Sequence, residues 1–192
     1  MLIESNDYGG FAMKTVADYY NKTATGWSDE WYKEKKQNEI LGKFYNCYAQ
    51  VGTKHPRILD LGCGAGYDSK ILSRMGARVV GLDVSQKLIK IAKSEAFRCK
   101  FHVGDMTERY KRLGKFDGIL CLATIMHVGV DKMKQTFLNM VEALRKGGLV
   151  LVSSLDGVGK NYERSYTKID GDEYDKDFNE LINKYKEYTI NV

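Results

Sequence analysis

From Arg57 to Ser154 the chain alternates short apolar runs with amphipathic stretches, and no other feature restricts its fold so tightly. RILDLG, ARVVGLD, CKFHVGD, FDGILCLA and LVLVSS begin at residues 57, 77, 99, 116 and 149, and each has the length and apolar content of a buried strand. Helical patterns lie between them. Asp68 to Met75 puts Ile71, Leu72 and Met75 on one face, and Ser85 caps a helix carrying Leu88, Ile89 and Ala92. Asp131 opens a third helix whose Phe137, Val141 and Leu144 share a face and which Gly147 and Gly148 end. Strand and helix in turn dictate right-handed βαβ units. The expected fold is α/β, a doubly wound, mostly parallel sheet with helices on both faces.

Upstream, Phe11 to Ala24 carries a loose helical pattern, and Ile40, Leu41, Phe44, Tyr45 and Tyr48 a tighter one, so an N-terminal helical cap spans residues 1–50. Downstream, Phe178, Leu181, Ile182 and Tyr185 mark another helix, and YTINV at residues 188–192 starts a strand with nothing to pair onward. There is no repeat or Pro-rich linker, and 192 residues suit one domain: the cap, a core over 56–155 and a C-terminal segment over 156–192. The longest apolar candidate, Gly148 to Val152, is far short of the ~20 residues of a spanning helix, and MLIESNDYGG is no secretory signal. The expectation is a cytoplasmic chain without membrane contact. Cys47, Cys63, Cys99 and Cys121 form no Cys-x-x-Cys pair and have no His at ligand spacing, which argues for reduced thiols and no metal. The net charge of +5 comes from scattered basic residues, as on a solvated surface.

In a doubly wound sheet the ligand sits beyond the carboxyl ends of the strands, where the winding direction switches. The first strand ends in Asp60-Leu61-Gly62-Cys63-Gly64-Ala65-Gly66, a turn whose glycines let a ligand approach main-chain amides. Asp83 closes the second strand, 21 positions after Gly62, where a carboxylate can accept from both hydroxyls of a ribose. Together they point to an adenosine ligand. A nicotinamide dinucleotide fits less well, because Tyr67 stands where its fingerprint wants the last glycine. Asp60 also suits an ammonium group better than a pyrophosphate.

RILDLGCGAGYDS, VVGLDVS, FHVGDM, FDGILCLATIMHV and LRKGGLVLVSS, in this order and spacing, resemble the class I S-adenosylmethionine-dependent methyltransferases over about Pro56 to Leu155. The resemblance implies that Asp60 and the Gly62, Cys63 and Gly64 backbone hold the methionine end of S-adenosylmethionine, with Asp83 on the ribose and Val84 against the adenine. It implies that Asp105 accepts from the adenine amino group, that Met106 meets the ring, and that Leu122 closes the pocket. YYNKTATGWSDEWY, at residues 19–32, is similar to the lead-in helices that cap the cofactor, which makes Tyr20 and Trp27 candidate lid residues beside Ala24. In such a fold a sixth and seventh strand form an antiparallel pair, and here that pair is incomplete. An unpaired edge invites a homodimer.

A sulfonium is an activated methyl donor, so the protein has to align a nucleophile and exclude water, with a general base where the nucleophile arrives protonated. His127, just beyond the fourth strand, is the histidine placed for that work; His55 falls in a loop and His102 within a strand. The fourth strand leads into Ala123-Thr124-Ile125, not the Asp/Asn-Pro-Pro-aromatic loop of many amino methyltransferases, and Pro56 precedes Arg57, not a nucleophilic Cys. A small-molecule acceptor is expected, with Tyr162 and Tyr166 the aromatics to watch. No appended RNA-binding module is visible, so RNA methylation ranks second despite Arg109-Tyr110-Lys111-Arg112. A non-catalytic regulatory protein that binds S-adenosylmethionine, and a dehydrogenase, are the remaining alternatives.

Overall fold

A computed structural model describes residues 15–33, 38–153 and 189–191. Among these, six strands form one sheet in which every pairing is parallel. The strands are β1 (Arg57–Leu61), β2 (Arg78–Asp83), β3 (Lys100–Val103), β4 (Phe116–Leu122), β5 (Leu144–Ser153) and β6 (Thr189–Asn191), in the order β3-β2-β1-β4-β5-β6. The chain winds outward from β1 through β2 to β3, then crosses back to β4, so the topological switch lies between β1 and β4. The helices are α1 (Val16–Lys33), α2 (Asn38–Gln50), α3 (Tyr67–Met75), α4 (Gln86–Glu95) and α5 (Val130–Ala143).

Alternation along the strands divides the core in two. Ile58, Val79, Leu120 and Leu151 point to the face covered by α2 and α3, where they meet Leu41, Phe44 and Leu72. Leu59, Val80, Ile119 and Val150 point to the other face and pack with Met133, Met140 and Ala143 of α5. With both faces covered, the central strands are apolar in their middles. The exception is Asp60, which points to the α2–α3 face and is 3% exposed.

Two boundaries differ from those expected from the sequence. The loose pattern over Phe11 to Ala24 overlaps α1, which runs from Val16 on to Lys33 through Gly26; Phe11 to Lys14 lie outside the described residues. The helix predicted to end at Gly147 and Gly148 ends at Ala143, and Leu144 is strand, paired with Phe116 across a register shift in β4. The apolar periodicity of α5 runs straight into the apolar β5, so the glycines were a false stop; Gly147, at φ +79°, lies inside β5. At the sheet edge, the strand expected from YTINV includes β6, which pairs in parallel with β5, Leu151 lying opposite Ile190. Trp27 lies on α1, but its side chain is outside the described residues, as are Tyr162, Tyr166 and the helix marked by Phe178. Among the described residues no helix is long and apolar enough to cross a membrane, and no group of three or more His, Cys, Asp or Glu is arranged to hold a metal ion.

Candidate active site at the topological switch

The turn after β1 is fixed by main-chain bonds. The Gly62 and Cys63 amides both donate to the Leu82 carbonyl, at 2.7 and 3.2 Å, and the Gly66 amide donates to the Cys63 carbonyl at 2.8 Å. Gly62 has φ +71°, and a Cβ there would overlap Thr124 Cγ2, so only glycine fits. Gly64 also has a positive φ, +51°, but nothing lies within 4 Å of where its Cβ would be. The turn is closed toward β4 at Gly62 and open at Gly64.

Asp83 ties this turn to the next. Its Oδ2 accepts from the Gly64 amide at 2.9 Å and its Oδ1 from the Ser85 amide at 2.8 Å. Burial raises its pKa, while the Ser85, Gly64 and Val84 amides hold it back. Asp60 lies one strand away and accepts from the Ser69 hydroxyl at 2.6 Å. Burial pushes the Asp60 carboxyl up; the Ser69 bond lowers it and the Asp83 charge raises it again. Asp68, in the first turn of α3, is held well above the usual carboxylate range by burial and then by Asp60. Asp60 thus lies within electrostatic reach of both Asp83 and Asp68 in low-dielectric surroundings. The Cys63 thiol is pushed well up by burial, then by Asp60 and Asp83, which keeps it protonated and unreactive.

Beyond β3, Asp105 Oδ1 accepts from the Thr107 amide at 2.8 Å, and Met106 packs against the α5-side core. Both are half-buried at the strand end, as is Val84 beyond β2. At the end of β4, Leu122 is buried with Ile58 and Leu151 below the turn, and beyond it Thr124 reaches over Gly62. Ala123 between them has φ +50°, a conformation side chains rarely adopt, held by two bonds from its amide to Ser153, at 3.1 Å each. This strained link sends the chain into a short 3-10 helix, Ile125–His127.

His127 there meets α1. Tyr20 Oη and His127 Nε2 are 2.8 Å apart, with their rings edge to face at 5.4 Å between centroids. Burial lowers the His127 pKa below 6.5, so the imidazole is neutral near pH 7. Alongside, Ala24 is buried with Ala65 of the glycine turn and Leu88 of α4. The structure therefore gathers Tyr20, the Asp60 to Gly64 turn, Asp83 and His127 at the switch. It adds Ser69, Asp68 and Thr124, which sequence reasoning missed, although Asp68 and Ser69 stand one residue past the glycine motif, after Tyr67. Asp117, at the opposite end of β4, accepts from the Arg57 amide and pairs with Arg145, a structural role.

A parallel sheet in this order, with glycine turn and acidic residue at the ends of adjacent strands, is matched by family comparison: residues 58–148 match the methyltransferase domain family. Over these residues the chain is similar to a methyltransferase domain. The domain is 33% identical over 112 residues to a ubiquinone biosynthesis O-methyltransferase of Pelagibacter ubique, an alignment covering 57% of this chain and 46% of the relative. A protein of the same name from Coxiella burnetii is 30% identical over 129 residues, 65% of this chain and 53% of the relative. The chain thus spans about half the length of the curated relatives it matches. Among solved structures, a TehB-like SAM-dependent methyltransferase from Corynebacterium glutamicum superposes with a TM-score of 0.63 at 21% identity over 83% of each chain. The Synechocystis magnesium protoporphyrin IX methyltransferase with bound SAH gives 0.57 at 21%, covering 67% of this chain and 66% of that one. These likenesses establish the fold of the methyltransferase domain.

Proposed function

We propose that this chain transfers the methyl group of S-adenosylmethionine to an oxygen of a small-molecule acceptor. The observation that carries the reading is the Asp83 carboxylate, bonded at once to the glycine turn and to the loop before α4 at the topological switch. The residues fit the cofactor. Buried carboxylates at Asp60 and Asp68 favour a ligand bearing positive charge, and the open side of Gly64 leaves its backbone within reach of a ligand. Asp60 with the Gly62, Cys63 and Gly64 backbone would hold the methionine end, Asp83 the ribose, and Val84, Asp105 and Met106 the adenine. Leu122 would shape the floor, and Tyr20 and Trp27 would belong to the cap formed by residues 1–50, over a core at 56–155.

When bound, the sulfonium supplies an already activated methyl group. The protein's part is then to place the acceptor oxygen and take its proton. Neutral His127 has that capacity: with Tyr20 Oη 2.8 Å from Nε2, an acceptor's proton reaches that nitrogen through the tyrosine hydroxyl, or reaches Nδ1 directly while Nε2–H donates to Tyr20. An acceptor hydroxyl bound there would lose its proton to His127 by one of these routes. An oxygen acceptor accords with the O-methyltransferase names of the curated relatives.

Calorimetric titration with S-adenosylhomocysteine and, separately, NADH tests the reading. Micromolar binding of the first, weakened at least tenfold by Asp83→Ala, is expected. Labelled-methyl transfer to a panel of phenols and other hydroxylated small molecules then tests turnover. Preferential NADH binding would mean a dehydrogenase, and tight S-adenosylhomocysteine binding without transfer to any acceptor a regulatory binder.

A further inference from the structure

Two consecutive residues of α1 reach different parts of the switch. Tyr20 meets His127 beyond β4, whereas Asn21 meets the loop beyond β2. Asn21 Oδ1 accepts from the Ser85 hydroxyl at 2.9 Å and from the Lys87 amide at 3.1 Å. Ser85 is wholly buried and caps α4, its Oγ accepting from the Leu88 amide at 3.2 Å. Two of the amides that α4 leaves without helical partners are therefore satisfied in sequence, one by Ser85 and one by Asn21 from another helix. The Ser85 amide in turn donates to Asp83 Oδ1, and Asp83 Oδ2 accepts from Gly64. An unbroken hydrogen-bonded path runs from α1 through Ser85 and Asp83 to the glycine turn.

We infer that Asn21 is a positioning residue for the adenosine end of the cofactor: by holding Ser85 it fixes the Asp83 carboxylate, so the ribose subsite is complete only while α1 is seated. The inference rests on the cofactor reading above. Burial of Ala24 against Ala65 and Leu88 one turn along α1 sets the approach of the helix, and the Asn21 amide oxygen is the acceptor for both donors. Because cofactor binding and the seating of α1 share this path, each favours the other.

Calorimetric titration of the full chain with S-adenosylhomocysteine separates the outcomes. Asn21→Ala should weaken binding roughly five- to tenfold, the worth of one or two hydrogen bonds. Asn21→Asp keeps an acceptor oxygen at a helix N-terminus and should restore binding to near wild type. Thr23→Ala removes only a bond back to the Tyr19 carbonyl within α1 and should leave the affinity unchanged. Hydrogen exchange on the wild type gives a second readout free of folding defects: the ligand should slow residues 19–24 and 85–88 together. Equal affinity in Asn21→Ala, or protection of 85–88 with no change over 19–24, would overturn the role of Asn21 while leaving the cofactor reading intact. Failure of folded wild type to bind S-adenosylhomocysteine would overturn both.

Discussion

His127 is a base in its uncharged form, and burial, which disfavours the imidazolium, carries that form below pH 6.5. The rate with an accepted substrate should rise through a pKa lower than 6.5 and then level off. His127→Gln should remove this acidic limb and lower the plateau about a hundredfold. A variant that keeps the limb would show that His127 touches the acceptor without taking its proton. Gly62 makes a different demand, since its φ of +71° and the Thr124 methyl leave no room for a Cβ. Gly62→Ala should cost about 1–3 kcal/mol, read as a lower urea midpoint at unchanged slope. Asp60, Asp83 and His127 were legible in the sequence because each stands at or just beyond the end of an apolar run. Thr124 was not, because its contact with Gly62 joins positions 62 residues apart and exists only once β1 and β4 lie side by side. Asn21 was hidden for the same reason, since Ser85 lies 64 residues away.

Helix α2 sits on β4 through a contact that needs a glycine on one side and aromatic rings on the other. Phe44 and Tyr48 pack edge to face at 5.4 Å, and the Tyr48 hydroxyl donates to the Asp117 carbonyl at 3.3 Å. A Cβ at Gly118 would overlap that hydroxyl and lie 2.9 Å from Phe44 Cζ. Gly118→Ala should therefore destabilise by about 1–3 kcal/mol through overpacking. Tyr48→Phe in the same background should recover part of the loss, because the hydroxyl goes but the Phe44 contact stays. Denaturation of both single variants and the double gives the coupling; simple additivity would mean that α2 shifts freely over the strand. The sequence shows α2 and β4 each by its own periodicity, but not that Gly118 is the floor on which they meet. The α5–β5 boundary was misplaced for a related reason: Leu144 continues the helical periodicity, and only its pairing with Phe116 draws it into the sheet.

The whole molecule concentrates negative charge at one end of its sheet, and that makes its stability depend on pH. Asp60 is raised to about 6, and Asp68 and Asp83 are raised as well, chiefly by burial. From about pH 4 upward the folded chain thus holds more protons at these sites than the unfolded chain, whose carboxylates titrate near 3.9. Stability contributed here is present at low pH, falls as pH rises through this window, and stays lost above it. His127 acts oppositely, since its lowered pKa makes the unfolded chain the stronger proton binder just below 6.5, but it is one group against three. A ligand carrying an ammonium and a sulfonium offsets the repulsion only where the carboxylates are ionised. The rise in Tm produced by S-adenosylmethionine should therefore be larger at pH 7.5 than at pH 5. Asp60→Asn removes one of the titrating groups and should flatten both the pH dependence of the free protein and that of the ligand-induced shift. A shift equal at the two pH values in the wild type would mean that the buried acids do not face the cationic part of the ligand, and that the pocket binds S-adenosylmethionine through its adenosine end alone.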